Sequence, residues 1–231
     1  MSEINFTGEC FVPGQTNKMC EAEHYERYLF ATNYIVGKEV IDIACGAGYG
    51  SHILKKAGAK SVIGLDISLE NISHARHKYN EPDLGYRCHD AEQQLQETDI
   101  DVIISFETIE HVNRFELVLR NFYSALKSSG LLLISSPNRK LTDPYLGPND
   151  KPSFQYHVRE FTIDEFKDHL VKAGFFNILI FGQKQQFYFN MPFLEKHYKR
   201  LFKPWKKADP RVSELNASLQ PEYFVMIAQK P

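Results

Sequence analysis

A chain of 231 residues is about one and a half times a typical domain, so one large domain is expected. Its 43% apolar and 24% charged residues exclude disorder, because that much apolar side chain buries a core able to offset the ordering entropy. A net charge of −2, from 27 basic against 29 acidic residues, excludes a general electrostatic grip on nucleic acid. No apolar run approaches the ~18 residues of a bilayer span. The opening Met1-Ser2-Glu3-Ile4-Asn5-Phe6 is polar and acidic, unlike a secretory signal. The cysteines at 10, 20, 45 and 88 show no CxxC spacing, so a cytoplasmic, reduced protein is expected.

In chain order, Val40-Ile41-Asp42-Ile43-Ala44 reads as a first strand and runs into Cys45-Gly46-Ala47-Gly48-Tyr49-Gly50-Ser51. A helical stretch then begins at Ile53 and Leu54 and stops at Gly58. Ser61 to Asp66 is a second strand, Asn71 to Tyr79 a helix, and Gly85 to Cys88 a third strand. Asp101 to Phe106 is a fourth. Phe115 to Leu126 carries Leu117, Val118, Phe122, Ala125 and Leu126 near helical period, with Gly130 as its stop, and Leu131 to Ser135 is a fifth strand. Strands apolar throughout and alternating with helices predict an α/β, doubly wound parallel sheet. Beyond it, Thr162 and Glu165 form a capping box opening a helix to Ala173, with Gly174 at C′. Phe175 to Phe181 and Tyr223 to Ala228 read as a last pair of strands. The stretch between them is too long for a hairpin turn and is expected to hold structure of its own or to form a flap.

The strand that ends in a glycine-rich turn and opens a helix is a nucleotide-type site, because glycine permits close backbone approach and the helix start offers unpaired amides. Gly46-x-Gly48-x-Gly50 departs from the dinucleotide G-x-G-x-x-G, and Asp42, just upstream, suits a cationic ligand better than a pyrophosphate. Asp66, 24 residues after Asp42, is placed to accept both hydroxyls of a ribose. Asp90-Ala91 stands where an adenine amino group would be met.

VIDIACGAGYGS, GLDIS, HDAE, DVIISFETIEHV and LLLISSPN, in that order, resemble the successive motifs of class I S-adenosylmethionine-dependent methyltransferases. FTGECFVPG, AEHYERYLFA and HVREFT resemble a bacterial subgroup associated with surface-glycan and nucleotide-sugar biosynthesis, although Cys10 stands where that subgroup carries arginine and Cys45 departs from the commoner turn residues. The likeness covers about residues 6–181 plus the last strand. It implies a Rossmann-like seven-stranded sheet in the order 3-2-1-4-5-7-6 with the last strand antiparallel, in one domain over 1–231. Residues 1–36 would cover the cofactor and 183–221 would be an insertion between the last two strands. S-adenosylmethionine is the implied cofactor. Gly46 and Gly48 would contact its methionine part, Asp42 its ammonium, Asp66 the ribose, Ile67 the adenine face, and Asp90 with Ala91 the adenine amine. Phe106 and Glu107 would line the sulfonium end, while Tyr25, Arg27 and Tyr28 would close over the cofactor, Arg27 pairing its carboxylate.

Transfer to a hydroxyl also needs a proton acceptor, for which His111, after the fourth strand, and His157, after the fifth, are the candidates. Each has a plain alternative, His111 packing on the following helix and His157 fixing its loop. Glu107, Glu110 and Asp143 offer oxygens to a divalent cation, but they make no compact cluster in the sequence, and no metal is expected. His74 and His77 read as a solvated helix face. The proline-rich loop from Pro137 to Pro152 reads as a substrate wall or a plain connector. Lys184 to Arg211 interleaves basic and aromatic residues, and reads first as a lid over a phosphate-bearing acceptor, then as an oligomer contact or a face for anionic lipid. The acceptor expected is a hydroxyl or amine of a sugar, nucleotide-sugar or glycan. The alternatives are another small molecule or natural product, or a binding module without turnover; the glycine spacing and Asp42 speak against a nicotinamide dehydrogenase.

Overall fold

The computed structural model describes residues 11–187 and 209–231. They form one mixed sheet of eight strands in the order β3-β2-β1-β4-β5-β8-β6-β7. The strands are β1 Glu39–Ile43, β2 Ser61–Asp66, β3 Leu84–Cys88, β4 Ile100–Phe106, β5 Leu126–Pro137, β6 Phe176–Gln186, β7 Ser213–Glu214 and β8 Gln220–Gln229. The first five run parallel, and β8 lies antiparallel between β5 and β6. The expected seven-strand order is therefore present, with β8 as its last strand. The eighth strand is β7, two exposed residues added to the edge of β6.

The central strands are apolar on both faces because both are covered. Ile41, Ile43, Ile103, Leu132, Ile134 and Phe224 point to the side packed by α4 Phe115–Ala125 and α6 Ile163–Lys172. Val40, Val62, Val102, Ile104, Leu133 and Val225 point to the other side, under α1 Lys18–Ala31 and α2 Tyr49–Lys56. The alternation follows from the two-residue period of a strand. It puts Asp42 on the α1/α2 side, which decides its role below.

Several boundaries differ from the expected ones for identifiable reasons. Helix α2 begins at Tyr49, since Gly48 is already its cap, and α3 spans Leu69–Lys78 because Ser68 caps it through Asn71. Helix α4 ends at Ala125, and Gly130 lies inside β5 rather than stopping a helix. Leu126 pairs with Ile100 across an irregularity in the β4–β5 register, so the chain enters the sheet without a separate loop. The proline-rich stretch after β5 contains a single helical turn, α5 Arg139–Thr142. In α6 the capping box between Thr162 and Glu165 is formed. Gly174, at φ 102°, ends it in a Schellman turn, its amide donating to Val171 and that of Phe175 to Leu170.

The segment expected to cover the cofactor supplies α1, followed by a 3-10 turn at Thr32–Tyr34. Cys10 and most of the basic–aromatic stretch, residues 188–208, lie outside the described residues, and with them the lid, lipid and oligomer readings. Of that stretch's described members, Lys184 pairs with Glu23 at 3.0 Å and Glu222 at 2.7 Å, and Arg211 pairs with Asp209. No helix among the described residues is long and apolar enough to cross a membrane.

Candidate functional site

The carboxyl ends of β1, β2, β4 and β5 meet at one edge of the sheet, where a doubly wound fold places its ligand crevice. The turn leaving β1 passes through three left-handed residues, Ala44, Gly46 and Gly48. At Gly48, φ is 84°, and a Cβ would sit 2.5 Å from the Cβ of Ala75 and 2.9 Å from the Tyr86 ring. A side chain is therefore excluded both by backbone conformation and by α3 and β3 packing against the turn. Gly48 consequently faces its own fold and does not line the crevice; its carbonyl accepts from the Tyr86 hydroxyl at 3.0 Å. At Gly50 the ring of Tyr28 occupies the space a Cβ would take, and Tyr28 so lies against the start of α2.

Asp42 lies below the crevice rather than in its lining. Its carboxylate is fully buried beneath the crevice and accepts from Ser51 Oγ at 2.6 Å and the Tyr28 hydroxyl at 3.0 Å. It does not line the cavity, and its contacts there are to Tyr28 and Ser51, so an ammonium would be met only from beneath, through water. Burial pushes its carboxyl up to about 7, against the lowering effect of the Ser51 and Tyr28 hydrogen bonds. Burial, with Asp42 nearby, likewise drives the Tyr28 hydroxyl well above its ordinary value.

Asp66 is held at the rim. It accepts from the Gly46 amide at 2.8 Å, the Ser68 amide at 2.9 Å and Asn71 Nδ2 at 3.2 Å. A carboxylate accepts about four hydrogen bonds, so one position remains for a ligand hydroxyl. Ile67, 71% exposed, and Asp90 with Ala91 continue this wall.

These residues border a cavity of about 990 Å³. Arg27, Tyr28, Gly46, Asp66, Ile67, Asp90, Ala91, Phe106, Glu107, His111 and His157 line it, as the sequence reading placed them; Tyr25, Asp42 and Gly48 do not. Tyr25 instead packs its ring on those of Tyr49 and Phe11. Arg27 is fully buried. Its Nη1 donates to Gln183 Oε1 at 2.5 Å, it lies 4.0 Å from Glu107 and 5.2 Å from the centre of the Tyr223 ring. Burial opposes its charge, and Glu107, Tyr223, Tyr49 and Glu23 more than restore it. Gln183 also donates to the carbonyls of Glu23 at 2.8 Å and Pro210 at 2.6 Å.

Glu107 sits at φ 51°, a strained backbone for a residue with a side chain. Ser135 holds it there, its Oγ accepting from the Glu107 amide at 3.1 Å and donating to Oε1 at 2.6 Å. One turn on, the 3-10 turn Ile109–His111 carries Glu110, whose carbonyl accepts from the amides of Val158 at 2.8 Å and Arg159 at 3.2 Å. Those two bonds dock the loop after β5 and bring His157 to His111, their ring centres 4.9 Å apart. His111 Nδ1 lies 3.0 Å from the Tyr156 carbonyl, and His157 Nδ1 lies 2.6 Å from Glu160 Oε1. Glu110 is fully buried; Oε2 accepts from Ser136 Oγ at 3.1 Å, while Oε1 has no hydrogen-bond partner among the described residues. Burial, then Glu107, push its carboxyl well above the usual carboxylate range. Glu110, His111 and His157 each bring a donor atom within 4.8 Å of the others. Asp143, an oxygen donor considered from the sequence, spends both oxygens on Ser153.

Sequence reasoning missed the buried Glu160 behind His157, Tyr223 beside Arg27, and Glu23 and Cys20 on the α1 wall. Only the last two had a signal, one helical turn and two turns before Arg27. The lining is one-sided in charge. It holds the acidic side chains of Glu23, Asp66, Glu70, Asp90, Glu107, Glu110, Asp143 and Glu160, those of Glu23 and Glu110 pushed up by burial, against the single guanidinium of Arg27.

A family model described as a methyltransferase domain matches residues 18–180. A "Probable S-adenosylmethionine-dependent methyltransferase" of Mycolicibacterium smegmatis is 30% identical over 175 residues, 75% of this chain and 66% of the relative. The ubiquinone biosynthesis O-methyltransferase of Bradyrhizobium diazoefficiens is 34% identical over 117 residues, 50% of this chain and 46% of that one. The chain thus spans under two thirds of the length of these curated relatives. A solved S-adenosylmethionine-dependent methyltransferase from Mesorhizobium loti superposes with a TM-score of 0.62 over 92% of this chain and 100% of its own, at 15% identity, a likeness of fold.

Proposed function

Since the chain belongs to the methyltransferase-domain family, we propose that it binds S-adenosylmethionine in this cavity and methylates a hydroxyl or amine of a small acceptor. The observation that carries the reading is the acidic character of the lining, eight Asp and Glu side chains to one guanidinium, which suits a cationic cofactor and disfavours a phosphate-rich dinucleotide. The volume, about 990 Å³, is enough for a nucleoside-sized cofactor and a small acceptor together. Bound there, the cofactor would supply an electrophilic methyl group on a positively charged sulfur. Asp66 would take a ribose hydroxyl on its remaining acceptor position, with Ile67 against the base and Asp90 beside its amine. Arg27 and Tyr28 would close the methionine end, Arg27 drawn to its carboxylate. Phe106 and Glu107 would flank the sulfur, where apolar and acidic walls both suit a sulfonium. Glu110, His111 and His157 form the end left for the acceptor, and handling of its proton falls to them.

The motif resemblance favours a sugar, nucleotide-sugar or glycan hydroxyl; the phosphate part of that expectation rests on residues outside the described ones. A second acceptor class, one from quinone biosynthesis, is favoured by the match to ubiquinone biosynthesis O-methyltransferases. Thermal unfolding with S-adenosylhomocysteine, S-adenosylmethionine and NAD tests the cofactor. At about 100 times Kd a true ligand adds ~2.7 kcal/mol, or roughly 5–11 °C for a chain of this size. A shift with the two sulfur nucleosides alone is the expected result, to be followed by a labelled-methyl screen of sugar and quinone-type hydroxyls. A shift with NAD, or with none, would overturn the reading.

A further inference from the structure

The acceptor end of the cavity has more structure than a proton acceptor needs. Two imidazoles and one buried carboxylate converge there from segments 46 residues apart, and each is oriented from behind. His157 is held through Nδ1 by Glu160, itself 3% exposed and bonded to the hydroxyl of Thr142. His111 is held through Nδ1 by the Tyr156 carbonyl. His111 Nε2 lies 3.9 Å from Glu110 Oε1. A carboxylate or carbonyl behind each imidazole is the arrangement that fixes tautomer and aim in metal-ligating histidines.

Glu110 gives the second, independent observation. Its Oε1 is fully buried, in a residue that borders the cavity, and has no hydrogen-bond partner among the described residues, a costly state for a carboxyl unless something else completes it. Arg27 pairs with Glu107 instead, and His111 Nε2, 3.9 Å away, is the ion-pair neighbour of this oxygen. Among the neighbouring lining groups, Glu107, Asp143 and Glu160 add further negative potential.

We propose that Glu110, His111 and His157 hold a divalent transition-metal ion, with coordination positions left open toward the cavity for an oxygen of the acceptor. The donor distances, all within 4.8 Å, need only a small closure to reach the ~2.0–2.2 Å bonds of such a site, whose adjacent ligands lie about 3 Å apart and opposite ones about 4.3 Å. Two imidazoles and one carboxylate select manganese, iron, cobalt, nickel or zinc over magnesium and calcium, which take oxygen ligands. The ion would neutralise the buried Glu110 and orient the acceptor hydroxyl. Its catalytic role rests on the methyl-transfer reading; its binding does not.

The test is titration of the metal-free protein with cobalt(II), followed by visible absorption, with S-adenosylhomocysteine affinity measured in parallel. One equivalent of cobalt should develop ligand-field bands that excess magnesium leaves intact. Glu110→Gln and His157→Ala should abolish them, and Glu160→Gln should weaken binding about 10–100-fold, all with the nucleoside affinity retained. Retained nucleoside affinity also shows that the variants are folded. A wild-type protein that develops no bands, or bands that survive both ligand substitutions, would overturn the proposal. Loss of nucleoside binding in the wild type, with cobalt still bound, would instead remove the methyl-transfer reading and leave the metal site standing.

Discussion

Asp42 offers a quantitative check on how this site is built. In the unfolded chain its carboxyl titrates near 3.8, and in the fold burial raises it to about 7. Between those values the native state keeps a proton that the unfolded state has lost, so stability falls as pH rises through this window and levels off above it. A difference of about three units at ~1.36 kcal/mol each makes the full swing about 4 kcal/mol. Asp42→Asn removes that swing. An amide oxygen at the Oδ2 position still accepts from Ser51 and, at 3.3 Å, from Tyr28, and the added N–H groups impose a pH-independent cost of roughly 1–3 kcal/mol. Relative to the wild type, the variant should therefore gain about 4 kcal/mol from pH 4 to above pH 7, passing from less stable to more stable. Urea unfolding midpoints for both proteins across this range measure the difference, in which the titrations of all other groups cancel. A difference that stays flat with pH would show that Ser51 and Tyr28 suffice to keep Asp42 ionised, and the reasoning from burial would fail.

Two further substitutions probe the crevice. Gly48→Ala combines a left-handed backbone with a Cβ 2.5 Å from Ala75, and should cost about 3 kcal/mol, or ~6–12 °C in Tm by scanning fluorimetry. A loss below about 1 kcal/mol would mean that the turn relaxes around the methyl group. Arg27→Met keeps the length of the side chain without its charge and should weaken S-adenosylhomocysteine binding by about 2 kcal/mol, ~30-fold by calorimetry. Unchanged affinity would reduce Arg27 to a tie between α1 and β6.

The strands were legible because they are apolar on both faces and punctuated by glycine, while their order and the antiparallel last strand followed from the motif resemblance. What escaped was what carries no apolar signal. Strand β7 is Ser213 and Glu214 bonded to the edge of β6, and the start of β5 at Leu126 depends on a partner in β4. At the site, Asp66, Asp90 and Glu107 follow strand ends, and their position alone brings them to the crevice edge. Asp42 instead lies inside β1, on the α1/α2 side of the sheet and below the crevice, where Tyr28 and Ser51 close over it. The meeting of Glu110 with His157 could not be read from spacing, because backbone bonds from Val158 and Arg159 to one carbonyl create it. A search for clustered carboxylates misses this group, since two of its three donors are nitrogens.

One side-chain amide, that of Gln183, has a consequence for how far the chain can be shortened. The recognisable methyltransferase pattern ends at residue 180, and every nucleotide-site motif lies before it. Yet Gln183 accepts from the buried Arg27 and clasps Glu23 and Pro210, while Tyr223, on β8, covers the same guanidinium. A protein trimmed at the edge of the pattern would keep its signature and strand a charge inside its own wall, a loss of about 3–5 kcal/mol where a buried partner is removed. The smallest piece that looks like the family is therefore smaller than the smallest piece able to close around a ligand.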